Sequence, residues 1–265
     1  MSKMQKFNSI TSRENSLIKL VCSLQSLAKA RKENNLFVIE GLRITRDAYD
    51  NSIRFDKLIV SDTAFEKYSE DIEKFSTVSD ECYRLPDSLF KKISDTVSPQ
   101  GIIALSEIPK NDAEKIDLTG RYVALENIAD PSNLGAISRT AEALGVSGII
   151  LTSGGCDPYS PKALRASMGT LLRMPLIILD EFAQQLCSSG LKTYSCVVDS
   201  GAMPINSIDF PKGTAVIIGN EANGIANETK IASDYNITIP MSGRAESLNA
   251  SVAAAIAIWE MMKNA

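Results

Sequence analysis

The chain has 265 residues, of which 44% are hydrophobic and 23% charged, with a formal net charge of -4; this is enough apolar sequence for one large or two modest cores. It contains no histidine, which excludes Ser-His-Asp and Cys-His nucleophiles, histidine-ligated metals and an imidazole base. Its five cysteines are scattered and form no CxxC pair, which argues against a disulfide framework and a zinc ribbon.

The first 46 residues are rich in basic residues. They contain nine Lys or Arg and three Glu, a composition that suits contact with phosphate groups, although a solvated charged face would have the same composition. The N-terminus lacks the apolar core of a signal peptide, and no stretch of the sequence is apolar enough to span a bilayer. We therefore expect a cytoplasmic protein.

Helical and extended patterns alternate in the first part of the chain. Apolar residues recur at helical spacing over 14–33, and basic residues gather at the end of that segment. The alternation predicts a compact α/β domain over residues 1–108. The predicted elements are helices at 14–33 and 42–51, strands at 36–40 and 57–61, a helix-like patch near 64–74 and an apolar segment at 102–108.

Residues 109–120 are polar, with a Pro at one end and a Gly at the other, and are predicted to be a linker. Short apolar segments then alternate with helical patterns over 121–265, which predicts a parallel sheet with helices on both faces. Ligands of such sheets bind in loops beyond the carboxyl ends of the strands. The predicted strands are 122–126, 148–152, 194–198 and 214–219, and the predicted helices are 133–144, 161–172, 181–189 and 248–263.

The first loop of interest is DPSNLGAISRTAEALG (130–145), which follows the first of these strands. Its apolar residues form a helical stripe, and Arg139 points away from that stripe, one turn beyond Gly135. Glycine at 135 leaves the space beside Arg139 open. The alternative is an exposed Arg139 that pairs with Glu142 at i+3.

The second loop is IIGNEANGI (217–225), at the end of the most apolar strand. Gly219 and Gly224 let the backbone bend closely around a ligand, with the carboxylate of Glu221 nearby. The alternative is a tight turn before a helix.

The third loop is IPMSGRAESLNAS (239–251), which joins a short strand to the last helix. Ser247, Asn249 and Ser251 supply hydroxyl and amide groups near the start of that helix, where they could bind a ligand or simply cap the helix. None of the three loops has the GxGxxG or GxxxxGK pattern, so a dinucleotide fold or P-loop is unsupported.

Together and in this order, the three loops resemble the signature motifs of the SpoU family of RNA ribose methyltransferases. SPKALRASMGTLLRMP (160–175) is similar to the family's intervening segment, so the resemblance covers 121–265. Less specifically, residues 14–108 resemble the ribosomal-protein-like RNA-binding domain of larger members. The matching motif positions are Asn133, Gly135, Arg139, Thr140, Ala141 and Gly145, then Gly219, Glu221 and Gly224, then Pro240, Met241, Gly243, Ser247, Leu248, Asn249 and Ser251.

The resemblance implies a knotted catalytic domain, with a C-terminal trefoil knot, that binds S-adenosylmethionine (SAM) and acts as a homodimer. It implies neither a metal nor a membrane partner. The implied catalytic residues are Arg139, Asn133, Glu221, Ser247 and Asn249. The implied cofactor-binding residues are Leu151, Thr152, Ser153, Ile218, Gly219, Ile239, Met241, Leu248 and Asn249. RNA contact is expected at Arg13, Lys29, Arg31, Lys32, Arg43, Lys162 and Arg165.

Methyl transfer from a sulfonium requires in-line alignment and a path for the 2′-hydroxyl proton. The family gives the arginine at Arg139 a central role, often as base, but a guanidinium is protonated near neutrality and accepts protons poorly. Orienting the ribose and stabilising the developing alkoxide is physically easier.

The expected activity is methylation of a ribose 2′-hydroxyl in structured RNA, with 23S ribosomal RNA favoured over tRNA. The alternatives are a tRNA methyltransferase, a non-catalytic RNA-binding or ribosome-assembly factor, and a nucleotide-binding enzyme with another cofactor. A non-catalytic factor predicts decay at Arg139, Glu221, Ser247 or Asn249, and all four residues are present.

Overall fold

A computed structural model describes residues 6–111 and 116–264. Residues 1–5, 112–115 and 265 lie outside the described ranges, and with them Lys3 and the middle of the predicted linker. The chain divides into two compact units, one of Met1–Pro109 with Tyr159–Arg165 and one of Lys110–Pro158 with Ala166–Ala265. The sequence patterns do not predict that residues 159–165 belong to the first unit.

The first unit contains a mixed five-stranded sheet with helices. Its strands are β1 (Phe7–Ser9), β2 (Leu36–Glu40), β3 (Phe55–Ser61), β4 (Ser79–Leu85) and β5 (Ile102–Glu107), and its helices are α1 (Ser16–Ser26), α2 (Ala28–Asn34), α3 (Leu42–Asp50), α4 (Asp62–Lys67), α5 (Ser69–Ser76) and α6 (Asp87–Ile93). The strand order is β1-β4-β3-β5-β2, and β5 runs antiparallel to both of its neighbours.

The helical pattern of 14–33 is interrupted in the structure. Asn15 caps α1 because its side chain accepts a hydrogen bond from the backbone N–H of Leu17. At Leu27 the backbone is extended, with φ -124° and ψ 118°, so α1 ends and α2 begins in a new direction. The buried side chains of α1, among them Val21 and Leu24, pack with Phe90 of α6 in the core.

The second unit holds a seven-stranded sheet in which every pairing is parallel, as predicted. Its strands are β6 (Arg121–Leu125), β7 (Gly148–Thr152), β8 (Leu176–Leu179), β9 (Lys192–Cys196), β10 (Met203–Pro204), β11 (Thr214–Ile218) and β12 (Tyr235–Thr238). The other α-helices of the described residues are α7 (Pro131–Ala143), α8 (Pro161–Ser167), α9 (Thr170–Arg173), α10 (Phe182–Cys187), α11 (Asn227–Ala232) and α12 (Ala250–Met262).

The strand order β10-β12-β9-β11-β6-β7-β8 puts β11 between β9 and β6. Parallel pairing aligns the carboxyl ends of these strands along one edge, so the loops that follow β6, β9, β11 and β12 adjoin there. The sequence patterns do not predict this strand order. β9 follows β7 and β8 in the chain, but in the sheet it lies on the opposite side of β6 and β11 from them. Within the described residues, no helix has both the length and the apolar character needed to cross a membrane.

Candidate active site

Glu221, in the loop after β11, binds the loop that leads from β6 into α7. Its Oε1 accepts a hydrogen bond from Asn133 Nδ2 at 2.7 Å. The backbone N–H of Ala129 donates to Oε2 at 3.2 Å, and that of Asp130 donates to Oε1 at 3.4 Å. One carboxylate therefore fixes the second loop against the first.

Asn133 connects this carboxylate to the start of α12. The Asn133 side chain is buried, and its Oδ1 accepts a hydrogen bond from Asn249 Nδ2 at 3.1 Å. Asn249 in turn caps α12, because its Oδ1 accepts from the backbone N–H of Ser251 at 2.9 Å and of Val252 at 3.4 Å. The Glu221–Asn133–Asn249 chain thus joins all three loops that the sequence analysis singled out.

The carboxyl group of Glu221 is held in its charged form. Partial burial tends to raise its pKa, but the hydrogen bonds from Asn133 and from the backbone N–H groups of Ala129 and Asp130 outweigh burial, so the pKa lies below its ordinary value. The charged acceptor therefore persists at neutral pH.

A cavity of about 580 Å³ opens at the carboxyl ends of β9, β11 and β12, a volume typical of small-molecule sites. Five of the residues expected to bind cofactor lie in its wall, namely Ile218, Gly219, Ile239, Met241 and Leu248. The wall also includes Ser247, Glu221 and Ala250. The full lining comprises residues 196–199, 218–225 and 246–248, with Lys230, Asn236, Thr238, Ile239, Met241, Ala250 and Ala253.

Leu151, Thr152 and Ser153 are absent from the described lining of this cavity. They lie at the end of β7, which β6 separates from β11, and Leu151 and Thr152 instead line a separate void of about 10 Å³. The strand end that faces the cavity is residues 196–199, after β9. The sequence predicts a strand at 194–198 but not its place beside β11. Asn249 is likewise absent from the lining, although Ala250 and Ala253 of the helix it caps line the cavity.

The guanidinium of Arg139 is exposed on α7 and forms no hydrogen bond or ion pair with any described residue. The pairing with Glu142 considered above does not form, because Arg173 binds Glu142 through two hydrogen bonds of 2.6 and 2.7 Å. Within the described residues Arg139 is therefore not held by Glu221, Ser247 or Asn249.

Two family models match this chain, one in its N-terminal part and one in its C-terminal part. Residues 120–259 match the SpoU rRNA Methylase family, and residues 15–104 match the MRM3-like substrate binding domain. The chain belongs to the SpoU rRNA methylase family. It is therefore a methyltransferase with an N-terminal substrate-binding domain.

Among the relatives of this SpoU methylase is the 23S rRNA (guanosine(2553)-2'-O)-methyltransferase RlmP of Bacillus subtilis (strain 168), 30% identical over 88% of this chain and 91% of the relative. The 23S rRNA (uridine(2479)-2'-O)-methyltransferase of Streptomyces viridochromogenes is 30% identical over 67% of this chain and 65% of the relative. The AdoMet-bound rRNA methyltransferase from Sinorhizobium meliloti has a similar structure, with a TM-score of 0.87, 27% identity, and 97% and 98% of the two chains covered.

The glycine at position 135 in the SpoU motif has a packing role. A Cβ at this position would lie 2.5 Å from Ala166 Cβ and 2.7 Å from the backbone N of Ser167, far inside contact distance. Gly135 therefore lets α7 approach the backbone of residues 166–167. This corrects the expectation that the glycine leaves open space beside Arg139.

The second SpoU motif is a tight turn that also lines the cavity, so the two interpretations offered for it are compatible. A Cβ on Gly219 would lie 2.3 Å from the backbone carbon of Gly224. Gly224 has a φ of +66°, which glycine adopts without strain. The backbone of Asn220 pairs with that of Gly224 and closes the turn.

Glu126 is a buried carboxylate of the SpoU domain that the sequence analysis missed. It follows β6, is 5% exposed, and accepts hydrogen bonds from the backbone N–H of Ala226 at 2.9 Å and from Thr229 Oγ1 at 2.6 Å. Glu126 thereby fixes the end of the cavity loop where α11 begins. The sequence feature that could have revealed Glu126 is its position as an acidic residue at the end of an otherwise apolar predicted strand, 122–126.

The residues expected to contact RNA differ in how exposed they are and in whether they form ion pairs. Arg31 is 4% exposed and donates to the backbone carbonyl of Leu24, so its role is structural, contrary to expectation. Lys29 lies 3.7 Å from Glu33, and Arg165 pairs with Asp95 at 2.7 Å. The exposed members of the set are Arg13, Lys29, Lys32, Arg43, Lys162 and Arg165.

Proposed function

We propose that this protein transfers the methyl group of SAM to a ribose 2′-hydroxyl of 23S ribosomal RNA in the cytoplasm. The convergence of the three SpoU loops through the Glu221–Asn133–Asn249 chain, beside a ligand-sized cavity, is the observation that carries the proposal. The choice of substrate rests on two relatives, each aligned over most of this chain. Both are named as methyltransferases of 23S rRNA.

The cavity fits SAM in both size and chemistry. Ile218, Ile239 and Leu248 offer apolar walls for an adenine ring, while the carboxylates of Asp199 and Glu246 complement the positive charges of the donor. When bound, SAM supplies a methyl group that is activated by its attachment to a sulfonium. No metal ion is needed for that displacement.

Residues of the chain supply alignment and charge stabilisation. The exposed guanidinium of Arg139 can bind the ribose oxygen and an adjacent RNA phosphate, because a planar fork donates two parallel hydrogen bonds. That phosphate takes the 2′-hydroxyl proton as the ribose oxygen gains the methyl group and the sulfonium becomes a neutral thioether. Ser247, in the cavity wall, orients the reacting groups together with Asn249 and the anchored loops. Positioning of this kind contributes several kcal/mol, up to about 7–11 kcal/mol in well-oriented systems.

The proposal includes a trefoil knot. β12 pairs with β9 on the far side of β11, whereas α12 packs against α7, β6 and β11. The segment between β12 and α12 therefore crosses the carboxyl ends of the central strands, next to the 218–225 turn that lines the same cavity. This path supports the knot that the family resemblance implies.

The proposal also includes a homodimer in which a second copy completes the site near Arg139. The outward face of α12 carries Val252, Ile256 and Trp259 at helical spacing, and Trp259 is 58% exposed. An exposed Trp beside other apolar residues is typical of an interface. A second copy on this face would cover the stripe.

Calorimetry with S-adenosylhomocysteine, followed by methylation of total RNA with labelled SAM, tests the proposal. We expect wild type to bind the product and to label 23S rRNA. Arg139→Lys should retain binding but lose at least about a hundredfold in turnover, because lysine lacks the planar fork.

The matched control is Arg54→Lys, since Arg54 lies in the first unit, paired with Asp80 at the surface, where such a pair contributes little. No binding of S-adenosylhomocysteine at millimolar concentration would contradict the function as a whole. Near wild-type turnover by Arg139→Lys would contradict the role of Arg139 alone.

A further inference from the structure

The loop of residues 94–97, between α6 and β5, is held by one carboxylate of the first unit. Glu40, at the end of β2, accepts hydrogen bonds from the backbone N–H of Asp95 at 3.0 Å, from Thr96 Oγ1 at 2.9 Å and from the hydroxyl of Ser94. Both carboxylate oxygens are used. The loop therefore has a defined conformation although it lies at the surface.

A second set of contacts fixes the chain just beyond this loop. Gln100 Oε1 accepts from the backbone N–H of Leu42 at 2.9 Å, in the first turn of α3. Gly101 has a φ of +81°, and a Cβ there would lie 2.7 Å from Ala64 Cβ, so this glycine sits directly against α4. The 94–97 loop is thus anchored on both sides.

The tip of the anchored loop presents an apolar side chain to solvent. Val97 is 95% exposed, the highest value among the exposed large hydrophobic residues described. A lone exposed valine needs no explanation by itself. Here, however, a rigid scaffold fixes its position, which is the usual arrangement of a recognition loop.

Three unpaired basic residues adjoin, along the chain, either this loop or Leu42, whose backbone Gln100 binds. Arg43 follows Leu42 in the chain, and Lys91 and Lys92 lie in the last turn of α6, just before the loop. All three are exposed and form no ion pair with a described residue. The one acid in the loop, Asp95, is paired with Arg165 in the same compact unit.

Some basic residues elsewhere in the first unit have acidic partners, whereas Arg13, Lys32, Lys67 and Lys74 form no ion pair with a described residue. Arg46 pairs with Asp71, Arg54 with Asp80, Lys57 with Asp56 and Glu81, and Arg84 with Asp62. Uncompensated positive charge is therefore present beside the 94–97 loop, whereas these four sites are neutralised. An apolar tip accompanied by unpaired basic residues suits a nucleic acid, which offers phosphates and base faces together.

We propose that the 94–97 loop and Arg43 form the RNA-reading contact of the N-terminal domain, and this rests on the proposed function. Val97 packs against an unstacked base in a loop or bulge of the RNA, and Arg43 binds an adjacent phosphate. A regular A-form helix would not serve, because its bases are stacked and its deep groove is closed to side chains. Glu40 is the positioning residue that presents the loop.

The test measures binding of protein-free, labelled 23S rRNA to four variants of the full-length protein across a salt series. Val97→Ser should weaken binding by about tenfold without changing the salt dependence, because it removes an apolar contact. Arg43→Gln should weaken binding and also reduce the slope of log K against log salt by about 0.7 to 1, the effect of losing one phosphate contact.

The matched controls are Ile231→Ser, which removes another highly exposed aliphatic residue (85%), and Lys74→Gln, which removes an exposed lysine of α5 in the first unit. Both should bind rRNA as wild type does. Binding of S-adenosylhomocysteine should be unchanged in all four variants, since none lines the cavity.

The outcomes separate this proposal from the proposed function. Wild-type rRNA affinity in Val97→Ser, or an equal loss in Ile231→Ser, would overturn the RNA-reading role of the loop while leaving the methyltransferase assignment intact. So would a wild-type protein that binds S-adenosylhomocysteine but no rRNA. A wild-type protein that fails to bind S-adenosylhomocysteine would instead contradict the proposed function.

Discussion

At the scale of single residues, Glu221 holds the loops of the candidate active site together. It accepts hydrogen bonds from Asn133, Ala129 and Asp130. A carboxylate suits this position because it offers acceptors on both oxygens and no donor. A glutamine would direct its NH2 group towards one of these three donors, and one loop contact would be lost.

Glu221→Gln should change how stability depends on pH. Because the pKa of Glu221 in the folded protein lies below its ordinary value of 4.5, its contribution to stability is present above that value and is lost as pH falls through the folded pKa. The difference in free energy of unfolding between wild type and Glu221→Gln should be constant above about pH 5.5 and shrink below about pH 4.5.

Urea denaturation at several pH values measures this difference. Glu73→Gln is the control, because Glu73 is exposed and forms no ion pair with a described residue. If the difference between wild type and Glu221→Gln stayed constant down to pH 3, the hydrogen bonds would not be favouring the charged form.

At the scale of secondary-structure elements, the approach of α7 to residues 166–167 depends on Gly135. Alanine is a better helix former than glycine by about 1 kcal/mol, which alone would make Gly135→Ala stabilising. The added methyl group, however, would lie 2.5–2.7 Å from Ala166 and from the backbone N of Ser167. Backbone atoms cannot rotate aside as a flexible side chain can, so the helix must shift.

We therefore expect Gly135→Ala to destabilise the protein by about 1–3 kcal/mol. Gly243→Ala is the matched control, because a Cβ at 243 would meet nothing within 4 Å, and it should change stability by less than about 0.5 kcal/mol. Chemical denaturation compares the two. A stabilised Gly135→Ala variant would mean that the two segments separate at little cost.

At the scale of the whole molecule, the exposed face of α12 bears on the oligomeric state. In the proposed dimer Trp259 is buried against a second copy, and the site near Arg139 is completed across the interface. Trp259→Lys should therefore yield a monomer, because it places a charge in an apolar contact. Its turnover should fall with its association.

Sedimentation equilibrium measures this prediction. Wild type should sediment at twice the mass of one chain and Trp259→Lys at that of one chain. Ile231→Lys is the control, because Ile231 is 85% exposed on α11 and should leave the dimer intact. A monomeric wild type with full activity would exclude a site shared between two copies.

The sequence was informative wherever local patterns decide structure. Buried parallel strands are short, apolar and rich in β-branched residues, so those near 122–126, 148–152 and 214–219 were predicted close to their observed bounds. β4 was missed because its sequence, SDECYRL, is mostly polar. Pairing with β1 and β3 makes it a strand, and pairing between distant segments leaves no local signal.

The family could be recognised from the sequence alone, because Asn133, Glu221 and Asn249 stand at characteristic positions of three motifs. Tertiary structure decided which groups meet. It placed β9 beside β11, so residues 196–199 and not 151–153 face the cavity, and it buried Arg31 in the first unit. The physical reason is that hydrophobic periodicity specifies which face of an element is buried, whereas the neighbour that covers that face is chosen by packing and hydrogen bonding across the whole chain.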